Sequence, residues 1–118
     1  MNDVNFDDFS WHDAELVCIK IDRENDLVKI NIRFPETDSD KTIEFVECYG
    51  LHTKMNFGFF PPDSILEAKV IVTSKEIELI KHNWMQMGLD LENLKCYQII
   101  TNTSGSEINI FANRFLIY

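Results

Sequence analysis

Apolar and polar residues alternate along much of the chain with the two-residue period of half-buried strands. From Glu15 to Asp22, Val17, Ile19 and Ile21 share one face while Lys20 and Asp22 take the other. After the turn-forming stretch Glu24-Asn25-Asp26, Val28, Ile30, Ile32 and Phe34 alternate with Lys29, Asn31 and Arg33. This is the clearest hairpin in the sequence. Pro35 closes it, and residues 36–40 form an acidic loop. Thr42 to Cys48 reads as a third strand whose phase slips: Ile43 and Phe45 keep one face, Val46 and Cys48 the other, as a bulge or a two-sided strand requires. Gly50 then predicts a tight turn into a fourth strand, residues 51–57. Pro61-Pro62-Asp63 breaks the pattern, and residues 65–72 read as a fifth strand.

The period changes once. Thr73 followed by Glu76 is the spacing of a capping box, and Ile77, Ile80, Trp84 and Met87 then form one apolar stripe at helical spacing. Gly88 stands where a helix end favours a left-handed residue. Together these predict a helix over about residues 74–87, packed on the sheet. Residues 95–103 and 107–118, joined across Ser104-Gly105-Ser106, predict a C-terminal β-hairpin. The expected fold class is α+β: a mainly antiparallel sheet, a meander that could curl toward a barrel, with one helix on it.

Length sharpens this into one domain, residues 1–118, since 118 residues suffice for a single core. Fourteen of the residues are Phe, Tyr or Trp (nine, three and two), which supplies large apolar groups to fill it. No apolar run approaches the roughly 18 residues of a membrane span, and the acidic, polar start is unlike a secretion signal. The expected location is the cytoplasm. Cys18, Cys48 and Cys96 agree with it: they are odd in number, scattered and without a C-x-x-C pair, and read as inert thiols.

Net charge narrows the class of partner. At −9 the chain is repelled by phosphate backbones and anionic membranes, so neither nucleic acid nor membrane is an expected partner. A basic protein is, because an acidic surface speeds its capture.

Little in the sequence suggests catalysis. The four glycines cannot be arranged as a phosphate-cradling loop, no serine has a nucleophile-elbow context, and no H-E-x-x-H occurs. Glu78 and His82 share a helix face at i, i+4, but two ligands on a solvent-facing surface do not make a metal site. The expectation is a non-enzyme with no catalytic residues, no cofactor and no metal. One compact polar cluster remains, Trp11-His12-Asp13-Ala14-Glu15. His12 could act as a base oriented by Asp13, but neighbours in an extended chain point to opposite faces. Trp11 suits a plug at one end of the core, and Asp13 a cap on a turn.

The cluster resembles a known pattern. An aromatic residue, then His-Asp-Ala/Ser, an alternating strand and an acidic turn are here Trp11-His12-Asp13-Ala14-Glu15-Leu16, the strand through Ile21 and the turn at residues 22–26. This resembles a family of small uncharacterised bacterial proteins, similar to immunity proteins of bacterial toxin systems. The resemblance implies a bacterial cytoplasmic protein that binds and neutralises a cognate toxin.

A four-stranded meander would bring three stretches to one end. They are the N-terminal segment with Asp8, Trp11, His12 and Asp13, the acidic loop with Glu36, Asp38 and Asp40, and the aromatic pair Phe59 and Phe60. Aromatic anchors inside an acidic rim form the expected partner-binding surface. The alternative is a small-molecule pocket between helix and sheet, lined by Trp84 and Met87.

Overall fold

The computed structural model describes residues 5–35, 40–57, 64–102 and 104–118. Six strands and one helix follow a short 3₁₀ turn at Phe6–Asp8: β1 (Glu15–Asp22), β2 (Leu27–Arg33), β3 (Asp40–Lys54), β4 (Ile65–Ile71), α1 (Lys75–Met85), β5 (Lys95–Thr101) and β6 (Glu107–Ile117). They form one antiparallel sheet in the order β1-β2-β3-β6-β5-β4. It is not closed into a barrel; its two edges meet at one corner, where Glu15 bridges Ser64. The architecture is α+β.

The first hairpin forms as expected. Asp22 pairs with Leu27 and Ile19 with Ile30, and the Asp22 carboxylate accepts the amides of Glu24 and Asn25 at 3.1 and 3.3 Å. Asp26 completes the turn at φ 53°, in the left-handed region that Asp tolerates better than most residues.

Gly50 overturns an expectation. No turn occurs there; the third and fourth expected strands are one continuous β3 of 15 residues. It pairs with β2 through residues 40–45 and with β6 from Ile43↔Ile117 to Lys54↔Glu107. The slipped phase is a bulge between Cys48 and Gly50, with Glu47 at φ 56°. Glycine suits the close packing there, since a Cβ on Gly50 would lie 3.3 Å from Phe111 Cδ2 and 3.4 Å from Ile80 Cδ1. The four-stranded meander is therefore replaced by two three-stranded ones, β1-β2-β3 and β4-β5-β6, joined through β3 and β6. The C-terminal pair β5–β6 lies side by side from Lys95↔Ala112 to Ile100↔Glu107.

The sheet buries both faces unequally. Its inner face holds the larger core, including Ile30, Ile32, Ile43, Phe45, Ile99, Ile108 and Ile110. The N-terminal segment plugs it: Phe6 packs its ring 5.0 Å from Tyr97 and 5.4 Å from Phe115, and Trp11 lies 4.7 Å from Phe6. On the other face, Ile77, Leu91, Leu94, Cys96 and Phe111 form a smaller core beneath α1, with Ile80, Trp84 and Tyr49 at its margin.

The helix is shorter than expected at both ends. Its N-cap is Ser74, not Thr73, with the Ser74 hydroxyl accepting from the amide of Ile77 at 3.1 Å. At the other end the amide of Leu89 bonds the carbonyl of Trp84 and that of Gly88 bonds Met85, with Gly88 at φ 86°. These are the paired bonds of a Schellman motif. Because the helix has ended, Met87 leaves the apolar stripe and is 75% exposed. It cannot line a pocket beneath α1, where the fully buried Ile77 and Leu94 occupy the space. No helix among the described residues is long and apolar enough to cross a membrane.

Candidate functional site

Backbone pairing assembles one corner of the molecule. Asp40 of β3 pairs with Arg33 of β2, Arg33 pairs with Glu15 of β1, and Glu15 bridges Ser64 at the entry to β4. The amide of Ile65 donates to the carbonyl of Ala14 at 2.7 Å, and that of Asp13 to the carbonyl of Ile65 at 3.0 Å. The N-terminal segment, both ends of the acidic loop and the start of β4 are thereby neighbours. A single row of strand ends gathers them, rather than the expected four-stranded meander.

The side chains on this row are mostly acidic. Arg33 stands between two carboxylates, its Nε 2.8 Å from Asp40 Oδ1 and its Nη1 3.5 Å from Glu15 Oε2. All three are substantially exposed, so these pairs contribute little to stability and leave the carboxylates open to other cations. Asp8 and Asp13 are exposed beside them in sequence, while Asp7 is engaged: its Oδ1 accepts the amide of Val70 at 3.0 Å and caps part of the β4 edge.

His12 and Asp13 behave differently from the sequence argument. They do meet, His12 Nδ1 lying 3.2 Å from Asp13 Oδ2. Asp13 sits at φ 69°, so the chain there is a left-handed turn rather than a strand, and neighbouring side chains fold toward one side. Both groups are well exposed. Among the described residues no buried third group holds the imidazole as proton transfer would require.

Trp11 also requires correction as a binding residue. It is only 4% exposed, and its indole N–H is bonded to Phe6, so it belongs to the core and offers a partner no surface. Asp40 is exposed and engaged with Arg33. Glu36, Asp38, Phe59 and Phe60 lie outside the described residues. Phe57, next to that aromatic stretch, is described and largely exposed. Sequence reasoning missed Arg33 and Glu15 as parts of the corner. Their signal was only their place at facing strand ends, which is visible once the register is known.

Elsewhere, potential chemistry is muted. Among the described residues no three His, Cys, Asp or Glu side chains cluster in a way that could hold a metal. Glu78 and His82 line a broad, open depression on the outer side of α1 with Thr73, Ser74, Lys75 and Leu79. His82 Nε2 there lies 3.0 Å from the side-chain nitrogen of Gln86. Burial pushes the thiols of Cys48 and Cys96 up to about 11, away from nucleophilic use near neutrality. All three cysteines are free.

The chain matches no family model and no curated protein.

Proposed function

We propose that this chain is a binding protein of the bacterial cytoplasm that captures a basic protein, as an immunity protein captures its toxin. The observation that carries this reading is the corner where partly exposed Glu15 and exposed Asp40 flank Arg33, with exposed Asp13 two residues before Glu15, on a chain of net charge −9. A cationic side chain of a partner can compete for carboxylates that Arg33 only half satisfies. Long-range attraction from the remaining negative charge accelerates the encounter. Glu36 and Asp38 lie in the sequence between Arg33 and Asp40 and are part of that net charge.

The experiment is association kinetics against the basic product of the adjacent reading frame, at low and at physiological salt. Converting Asp8, Asp13 and Asp40 to Lys should slow association by about tenfold or more at low salt, with a smaller effect at physiological salt. Replacing exposed Asp8 and Asp40 should change folding stability little, while Lys at the left-handed Asp13 position adds some backbone strain, which denaturation of the single Asp13→Lys variant measures apart from binding. An association rate unaffected by the triple reversal at low salt overturns the reading.

A further inference from the structure

The acidic corner offers charge but little apolar surface, since Trp11 belongs to the core. Stable protein interfaces combine a polar rim with apolar anchors at the centre. The end of α1 supplies such anchors. Met85, Met87 and Leu89 are 52%, 75% and 40% exposed, three large apolar side chains within five residues. The bonds that end the helix hold them in one tight turn. The amides of Met87 and Leu89 both donate to the carbonyl of Trp84 at 3.0 Å, and that of Gly88 to the carbonyl of Met85 at 2.9 Å. Trp84 itself is half-buried, edge-on to Tyr49. The core beneath α1 is filled by Ile77, Leu91 and Leu94, so the fold gains little from the exposed groups. Clustered apolar exposure marks interaction sites, and methionine adapts its shape to what it meets.

We infer that this turn is the apolar anchor for a basic segment of a partner protein, one whose apolar side chains are flanked by Lys or Arg. The inference rests on the basic-partner reading and adds a second contact to it. Charge chooses the occupant. From His82 to Leu94 the chain carries the exposed carboxylates of Asp90 and Glu92 and no Lys or Arg. Of the cations that bound this stretch, Lys81, one turn before Met85, is half-buried. The Lys95 ammonium is engaged by the carbonyls of Asn93 and Asn113, at 3.0 and 2.8 Å. A two-fold contact with a second copy through this turn would bring Asp90 and Glu92 of both molecules together, on chains of −9 each. An anionic membrane is repelled in the same way. A cationic segment is attracted by the same carboxylates.

The anchor and the corner are separate surfaces. The turn leads into the start of β5, whereas the corner lies at the far end of that strand, where Ile65 pairs with Thr101. A seven-residue strand spans roughly 20 Å, a distance that one protein partner can bridge. The two contacts divide the kinetics. Charge at the corner governs association, and apolar burial at the helix end governs dissociation.

A short amphipathic peptide of leucine and lysine, and an all-lysine peptide of equal length, are the probes. At physiological salt the amphipathic peptide should shift the backbone amide resonances of residues 84–92. The all-lysine peptide should bind there about tenfold more weakly or worse, because it buries no apolar surface. Met85→Ser combined with Met87→Ser, both at exposed positions, should weaken the amphipathic peptide by about tenfold or more. The denaturation midpoint of that variant should match the wild type, which separates lost binding from lost folding. Asp90→Lys with Glu92→Lys should weaken binding more at low salt than at physiological salt. Amide shifts confined to the corner overturn the anchor and leave the corner reading standing. Equal binding of both peptides at residues 84–92, or of wild type and the double methionine variant, overturns it too. Self-association of the free chain that the methionine variant abolishes would assign the turn to a second copy and overturn it as well. Failure of the corner reading shows separately, as an association rate unaffected by reversal of Asp8, Asp13 and Asp40.

Discussion

Trp11 reaches back along the chain to donate its indole N–H to the carbonyl of Phe6, 2.7 Å away. The bond is buried, and it ties the 3₁₀ turn to the turn that starts β1. Ring packing of Trp11 on Phe6, at 4.7 Å, locks the same two points from the apolar side, and packing on Phe34, at 5.4 Å, ties them to the end of β2. The N-terminal segment is thus a plug that holds itself in shape while it fills the core.

That relationship separates two variants. Trp11→Phe keeps most of the ring but leaves the Phe6 carbonyl without its donor, a cost of about 1–3 kcal/mol. Trp11→Ala empties the site and should cost about 3–5 kcal/mol. Urea unfolding of both variants checks this; a Trp11→Phe chain as stable as the wild type would show that the hydrogen bond contributes nothing, and equal losses that the ring packing adds nothing to it.

Beneath α1 the ranking runs against residue size. Ile77 is fully buried, whereas Trp84 is half-buried and meets Tyr49 edge-on at 5.3 Å. Ile77→Ala should cost about 2–5 kcal/mol, the range for a large aliphatic in a core. Trp84→Ala should cost less than that. A larger loss for Trp84→Ala in chemical denaturation would place the tryptophan at the centre of this cluster.

Asp7 gives a local prediction. Its carboxylate accepts the Val70 amide on the covered edge of the sheet. Asp7→Ala should speed hydrogen exchange at Val70 and cost about 1–2 kcal/mol, typical of a hydrogen bond with one charged partner. Unchanged exchange at Val70 would show that the amide is protected by other means.

Alkaline pH should weaken the fold. Burial raises Cys48 and Cys96 from 9.0 to about 11, and Tyr97 from 10.0 to about 12. Below pH 9 all three are neutral whether the chain is folded or not, and stability is at its full value. Between pH 9 and 11 the unfolded chain loses thiol protons that the folded chain keeps, so stability falls as pH rises, and Tyr97 extends the loss upward. Denaturation midpoints from pH 8 to pH 11 test this, and Cys96→Ser should flatten the slope. A midpoint that holds steady across the interval would contradict it.

The hairpin β1–β2 was legible because alternation and turn residues agreed over both strands. The helix was legible from its stripe and from Gly88. Gly50 was misread because glycine answers two different needs, a turn or the close approach of another element, and only the position of Ile80 and Phe111 distinguishes them. Strand order was hidden for a related reason: the partner of β3 lies about 60 residues away, and alternation carries no information about distant partners. At the candidate site, exposed Asp8, Asp13 and Asp40 were found from charge alone. Trp11 was read both as a core plug and as part of the binding surface, because aromatic residues serve cores and interfaces alike, and burial decides for the plug. Arg33 and Glu15 needed the register.

The central position of β6 has a consequence for how the chain is made. β3 meets its second neighbour only when residues 107–117 are available, with Ile43 paired to Ile117 and Phe45 to Phe115. Until then the nascent polypeptide can form the β1–β2–β3 meander, but that meander must expose the faces of Ile43 and Phe45 to water. Pairings so distant in sequence are closed late and slowly, because loop entropy is lost before the contacts form. A ribosome-bound chain halted before residue 107 should therefore be protease-sensitive and recruit chaperones. One halted after the whole of β6 has emerged should resist protease, and the change should be abrupt.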